Sequence, residues 1–178
     1  MADIVRNWRV ELMEAHPNVL LRQTSHPESA LGYPSGEDGW RDLLERLCAR
    51  LEAALRDDET IQILQIKEKF ATLRVYWRSD VAPETAARLH GAIALGAARS
   101  ACTCEKCGEA GRLYRHDGVW MTRCPADAKG APVRIEAGLE SFHVIRVTEL
   151  RDMRVFFCRR YDRAADAFVD IPAEGLEE

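Results

Sequence analysis

No stretch of this sequence approaches the roughly 20 consecutive apolar residues that a helix needs to cross a bilayer. Its first residues, Met1-Ala2-Asp3-Ile4-Val5-Arg6-Asn7-Trp8, lack the basic segment followed by an apolar stretch that marks a secretory leader. The expectation is a cytoplasmic protein without membrane association. Equally missing are a Gly-rich phosphate loop, a Gly-x-Ser-x-Gly elbow, a His-Glu-x-x-His pair and a His-centred nuclease motif beside the cysteines. These absences favour a binding protein over an enzyme. An excess of positive charge is also lacking: the net charge is −4 and the pI is near 5.8. That balance argues against a surface that is one electrostatic footprint for nucleic acid and leaves only a local basic patch open. There is no internal repeat and no low-complexity tract.

What is present suits a folded domain. The 178 residues fit one domain or a domain with an appendage. An apolar content of 47% and a charged content of 30% are those of an ordinary globular protein.

Residues 1–37 contain His16-Pro17, His26-Pro27, Tyr33-Pro34 and Gly36, so beyond a short helix near residues 4–15 they read as an irregular N-terminal arm. Residues 38–101 read as an α+β core. Trp40, Leu44, Leu47, Leu51 and Leu55 form the stripe of an amphipathic helix, with Asp38 as candidate N-cap. Strands are expected at 61–66 and 71–77, joined by Lys67-Glu68-Lys69-Phe70, with Leu73, Val75 and Trp77 on the core face of the second. A second helix should run from Pro83 to about Ser100, placing Ala86, Leu89, Ile93 and Ala97 along one side. Residues 102–130 form a cysteine segment. Residues 131–178 read as a C-terminal β appendage, with strands at 142–147, 153–158 and 167–171, and an acidic tail. The expected fold is α+β: two main helices packed on a small antiparallel sheet, with a zinc knuckle of zinc-ribbon or treble-clef type and the β appendage.

Six cysteines without a secretion signal, three of them in Cys102-Thr103-Cys104-Glu105-Lys106-Cys107, favour metal binding over a disulfide framework. Cys48 and Cys158 sit in apolar patterns and read as small buried hydrophobes. Two thiolates two residues apart reach one ion from a tight turn, and Gly108 lets the backbone close that turn. Cys124-Pro125-Ala126-Asp127 repeats the spacing. One structural zinc ion is therefore expected on Cys104, Cys107, Cys124 and Asp127, with His116 and Cys102 as rivals for the fourth position. Such a site would fold a segment with little core of its own. A catalytic zinc would need a water in the fourth position and a base, for which Asp117 and Glu105 are the candidates, but three thiolates make a poor Lewis acid.

Lys67, Lys69 and Arg74, with Arg78 nearby and Tyr76 and Trp77 between them, mark a candidate interaction surface on the hairpin. A protein partner is the leading expectation, and nucleic acid, contacted through phosphate and base stacking, is the alternative. The bland reading is a solvated strand face whose lysines pair with Glu68. Arg151, Arg154, Arg159, Arg160 and Arg163 make the C-terminal strand region basic, against an acidic tail of Asp166, Asp170, Glu174, Glu177 and Glu178. His90, beside Leu89 and Ile93, reads as a packing residue.

Taken in order, Asp38-Gly39-Trp40 with Leu43, Ile66-Lys67-Glu68-Lys69-Phe70-Ala71-Thr72-Leu73-Arg74-Val75-Tyr76, and Ser100 with Thr103-Cys104-Glu105-Lys106-Cys107-Gly108 form a string of motifs. Over about residues 8–127 it resembles an uncharacterised family of bacterial and bacteriophage proteins with a Lys-Glu-Lys-Phe-Gly-x-Leu-Arg strand motif and a Cys-x2-Cys-Gly zinc-ribbon-like segment. The resemblance implies phage or mobile-element association and no known reaction. Two positions depart from the pattern. Ala71 stands where the family has Gly, and Asp127 stands where its last pair has His, which marks Asp127 as the ligand in a weaker site.

Overall fold

Helix α2 (Arg41–Ala54) buries Leu43, Leu44, Leu47, Cys48, Leu51 and Ala54, the three-and-four spacing that turns one helical face to a core. In the computed structural model, which describes residues 7–20, 26–150 and 153–169, this helix is entered from a 3-10 turn at Asp38–Trp40. Trp40 occupies the N-cap position without a side-chain cap. Asp38 is thus not the cap. Its carboxylate accepts from Trp8 Nε1 at 2.8 Å and from Arg9 at 3.0 Å, fastening α1 (Trp8–Ala15) to the α2 entrance. The cap of α1 is Asn7, whose side chain accepts from the Arg9 amide at 3.0 Å.

The N-terminal segment contributes to the core. Leu12, Met13, Val19 and Leu20 belong to the main core. Residues 32–35 then run beside strand β1 (Thr60–Lys69), with Gly32 N donating to Leu64 O and Ser35 N to Ile66 O.

Strands β1 and β2 (Thr72–Asp80) form an antiparallel hairpin in which Lys69 faces Thr72. The expected four-residue connection is therefore wrong: Lys67, Glu68 and Lys69 lie in the strand, and only Phe70 and Ala71 turn. Both have positive φ, 54° and 61°, as a two-residue type I′ turn requires. Ala71 thus occupies a conformation in which glycine would be unstrained. A bulge between Ile63 and Gln65 shifts the register.

Helix α3 (Pro83–Ser100) starts with Pro83 in its first turn. Its buried face is Thr85, Leu89, Ala92 and Gly96, rotated from the expected stripe, with Ala86, Ile93 and Ala97 at its margin. Gly96 permits close packing, because a Cβ there would meet Leu73 at 3.3 Å and Leu47 at 3.4 Å.

The architecture is the expected α+β class, with three α-helices and three small antiparallel sheets among the described residues. The second sheet joins β3 (Arg112–His116), β4 (Val119–Arg123) and β5 (Ala131–Pro132) in the order β4-β3-β5. The third joins β6 (Phe142–Leu150), β7 (Met153–Asp162) and β8 (Ala167–Val169) in sequence order. These strands outrun the expected 142–147 and 153–158, and the end of the expected 167–171 lies outside the described residues. Cys158 is exposed, not buried, whereas Cys48 is buried and its thiol is pushed up to about 12 by loss of water.

Turn residues between β7 and β8 dock on the helices. Asp166 lies 2.8 Å from Arg50, 3.4 Å from Arg46 and 3.6 Å from Arg99, and accepts from Tyr161 Oη at 2.6 Å. Arg99 also pairs with Asp42 at 2.9 Å. No helix among the described residues is long and apolar enough to cross a membrane.

Candidate metal centre

Beyond α3 the backbone folds back on itself. Gly108 N donates to Cys104 O and Cys104 N to Glu109 O, each at 2.8 Å, and Gly108 has φ +84°. This closes a knuckle that aims the Cys104 and Cys107 side chains the same way. The chain next forms the β3–β4 hairpin, turned at Asp117-Gly118 with φ 48° and 82°. It returns to a second turn at Cys124, where Asp127 N and Ala128 N both donate to Cys124 O. Glu105 N donates to Thr122 O at 3.2 Å, which holds the first turn beside the second.

The result brings together the four residues expected from spacing. The ligand atoms of Cys104, Cys107, Cys124 and Asp127 all lie within 4.8 Å of one another and can hold a metal ion. Cys107 Sγ is 3.6 Å from Cys124 Sγ, and Asp127 Oδ2 is 3.6 Å from Cys104 Sγ and 3.5 Å from Cys124 Sγ. Cys104 and Cys124 are buried, Asp127 is half-buried and Cys107 is exposed. The Lys106 ammonium, 2.6 Å from Asp127 Oδ1, is the first cause of a carboxylate held well below its usual range. It leaves Oδ2 aimed at the sulfurs. Burial alone would raise the Cys104 thiol, but hydrogen bonds to it, first from the Cys124 and Cys107 backbone, outweigh burial and lower it.

Both rivals fall outside the group. Cys102 Sγ donates into the end of α3, 3.3 Å from Arg99 O, and burial raises its thiol. His116 sits at the far end of β3, paired in register with Val119, and faces Asp117 at 3.4 Å. The candidate bases fare no better. Asp117 lies in the same distant turn. Glu105 is buried against Arg123 at 3.2 Å, and although that ion pair pulls its carboxyl down, burial wins and raises it.

Attachment of the knuckle to the core was not foreseen. Gly39 N donates to Glu105 O at 2.8 Å, and a Cβ on Gly39 would collide with Cys104 O, Gly108 N and, at 2.6 Å, Glu105 O. Asp38-Gly39-Trp40 is thus a seat for the knuckle as well as the entrance to α2. Arg123 bridges Glu37 and Glu105, and Thr122 Oγ1 donates to Ala71 O at 2.8 Å, tying β4 to the tip of the β1–β2 hairpin. None of these attachments had a sequence signal, whereas the β3–β4 hairpin, also not foreseen, did: Asp117-Gly118 is a type I′ turn pair.

The interaction residues lie on the face of β1–β2 away from the helices. Lys67 Nζ stands 5.0 Å from the centre of the Tyr76 ring, Lys69 is exposed, and the Arg74 guanidinium bonds Thr72 Oγ1 and Leu73 O. Trp77 is not part of this face: it packs edge-on against His90, 5.1 Å away, at the core margin. Among the described residues no ion pair joins Glu68 to the lysines; its carboxylate accepts from the Ala71 amide inside the turn. A separate open groove at the opposite end of the hairpin, lined by Glu52, Arg56, Asp57, Glu59, Arg78 and Asp80, holds no cysteine. No family model, curated protein or solved structure matches this chain.

Proposed function

We propose that the chain is a non-enzymatic interaction protein in which one zinc ion, bound by Cys104, Cys107, Cys124 and Asp127, sets the β3–β4 hairpin against the helical core. The observation that carries this reading is the donor spacing. Around tetrahedral zinc, bond lengths near 2.3 Å to sulfur and 2.0 Å to oxygen require about 3.8 Å between sulfurs and about 3.5 Å between sulfur and oxygen. The site has 3.6 Å for the Cys107 and Cys124 sulfurs and 3.5 and 3.6 Å from Asp127 to Cys124 and Cys104. Soft thiolates beside one carboxylate suit zinc, and the knuckle–hairpin–turn order is that of a treble-clef-like ribbon whose second ligand pair sits on a turn. When bound, zinc supplies folding free energy to a segment with few buried apolar residues.

Four donors complete the tetrahedron, and neither Glu105 nor Asp117 is placed as a base, which weighs against a hydrolytic centre. The metal's role is then to present a surface, with the β6–β8 sheet as an appendage clasped to α2 and α3. Thiolate ligation suits a reducing compartment, which supports a cytoplasmic location, and the motif resemblance is the reason to seek its partner in a phage or mobile-element setting. A protein partner on the β1–β2 face would supply carboxylates to Lys67, Lys69 and Arg74. A nucleic acid would supply phosphates and bases, and the exposed rings described next favour that second reading.

The test is metal content after purification without added metal, with the coordination shell read by X-ray absorption. One zinc with three sulfurs and one light ligand, weakened by Asp127→Ala, is expected. A protein that folds without metal, or a coordinated water equally present in wild type and Asp127→Ala, would overturn the structural role.

A further inference from the structure

We propose that the outer face of the β1–β2 hairpin and the Trp120–Arg115 side of the β3–β4 hairpin form one platform for single-stranded nucleic acid, on which Phe70, Tyr76 and Trp120 stack bases and Lys67, Lys69, Arg74 and Arg115 hold phosphates. The inference rests on the metal-fastened scaffold above and names its partner.

Phe70 is the first observation. Its φ is 54° and its side chain belongs to a residue that is 69% exposed. A type I′ turn favours Asn, Asp and Gly, and a bulky residue in the left-handed region is a genuine outlier. Folding gains almost nothing from an aromatic ring in water at a strained position. Strain kept at an exposed turn is where a binding role is to be sought.

Phe70 is not alone. Tyr76 is 44% and Trp120 38% exposed, and each of the three rings has a cation beside it. Lys69 stands 5.4 Å from the Phe70 centroid, Lys67 5.0 Å from Tyr76 and Arg115 5.4 Å from Trp120. No carboxylate among the described residues pairs with Lys67, Lys69, Arg74 or Arg115. Rings interleaved with unneutralised cations are the makings of a single-strand groove, because every base has a π face and every nucleotide a phosphate.

The two hairpins, in separate sheets, are joined at the turn of the first. The buried hydrogen bond from Thr122 Oγ1 to Ala71 O fixes β4 against the turn that carries Phe70. Trp120 lies two residues from Thr122, on the same side of β4, and Arg115 is its register partner on β3. A strand lying along Tyr76 and Phe70 would thus be led toward Trp120.

A protein partner suits this surface less well. The buried centres of protein interfaces are depleted in charged residues, lysine among them, whereas here each ring has a cation over or beside it. Duplex nucleic acid would satisfy the cations but leave the rings without an exposed base face. Net acidity elsewhere lowers affinity without removing the local patch.

The test uses the full zinc-loaded chain and a fluorescein-labelled oligothymidylate of about 20 nucleotides, long enough for several stacking sites, with fluorescence anisotropy read at two salt concentrations and against a duplex of equal length. Tighter binding of the single strand is expected, weakening steeply as salt rises. Phe70→Asn should weaken binding by roughly 5- to 150-fold, the range for loss of one stacked base, while raising the melting temperature, because Asn suits the turn. Trp120→Ala should weaken binding similarly, and Lys67→Gln with Lys69→Gln should flatten the salt dependence. Zinc content and melting are measured on the same samples. Zinc-loaded, folded protein that ignores the oligonucleotide overturns the platform, leaves the scaffold standing and hands the surface to a protein partner. Equal affinity for duplex and single strand, or binding indifferent to Phe70→Asn and Trp120→Ala, also overturns it. Absence of zinc from a folded protein overturns the scaffold instead.

Discussion

Gly39 and Glu105 are joined backbone to backbone, amide to carbonyl at 2.8 Å, across a sequence distance that spans the whole α2–β1–β2–α3 core. The contact leaves no room for a β-carbon on Gly39. Gly39→Ala is expected to push the knuckle off the core and destabilise the protein by about 3 kcal/mol, at the upper end for overpacking because the obstructing atoms are backbone. Denaturant unfolding of the zinc-loaded variant measures it, and a change below about 0.5 kcal/mol, the range of ordinary surface substitutions, would contradict the contact.

Lys106 holds one oxygen of Asp127 and leaves the other facing the cysteine sulfurs. Lys106→Met should therefore lower zinc affinity by about 10-fold, at the lower end for loss of a group that orients a ligand. Asp127→His, which restores the more usual ligand type, should raise it. Competition with a chromophoric chelator reads both. A Lys106→Met protein of unchanged affinity would show that the ion pair is only a surface contact.

Asp166 is the anionic centre of the C-terminal clasp. Burial alone would raise its pKa, but the Tyr161 hydroxyl and Arg50, with the charge of Arg99, outweigh burial and lower it. A carboxylate with a depressed folded-state pKa contributes stability that is complete above its unfolded value, near 3.9, and disappears as pH falls through the folded value. The clasp should open below about pH 4 and stay shut at neutral pH. Asp166→Asn should cost about 2 kcal/mol at neutral pH by removing a charged partner from Arg50 and Arg99, of which Arg99 keeps Asp42, and should flatten the acid limb. Melting curves from neutral pH into acid compare the two proteins, and parallel curves would refute the assignment.

Ser100 closes α3 and serves β2 at once. Its hydroxyl donates to Ala97 O at 2.6 Å and accepts from the Leu73 amide at 2.8 Å, in a buried setting. Ser100→Ala leaves that strand amide without a partner and should cost about 2 kcal/mol. Loss of hydrogen-exchange protection at Leu73 would locate the damage, and retained protection would place it elsewhere.

The candidate metal cluster was legible because its spacing is a local property: two thiols on one turn and a matching pair on another. So was α2, whose leucines repeat at helical period. Asp127 was the expected fourth member, but with rivals, because Cys102, His116 and Asp127 all lie within reach in sequence and only the α3 end, which takes up Cys102 Sγ, and the length of β3, which carries His116 away, separate them. The β1–β2 connection was misread because Phe-Ala is a poor type I′ pair, so neither residue announces the turn that Glu68 and Thr122 hold in place. The seat at Gly39 and the clasp at Asp166 join positions far apart in the chain, and nothing in a local window distinguishes that glycine or that aspartate from an ordinary loop residue.

Residues 32–35, laid along the outer side of β1, bear on solubility. A strand edge with free amides and carbonyls is a template for another chain, and β1 carries Ile61, Ile63, Leu64 and Ile66 within six residues. Gly32 and Ser35 occupy its Leu64 and Ile66 carbonyls, so this strand meets its neighbours in solution with part of its edge already spoken for. A chain shortened to begin after residue 36 would expose that edge together with the isoleucine row, and would self-associate into β-rich aggregates rather than remain a smaller soluble domain.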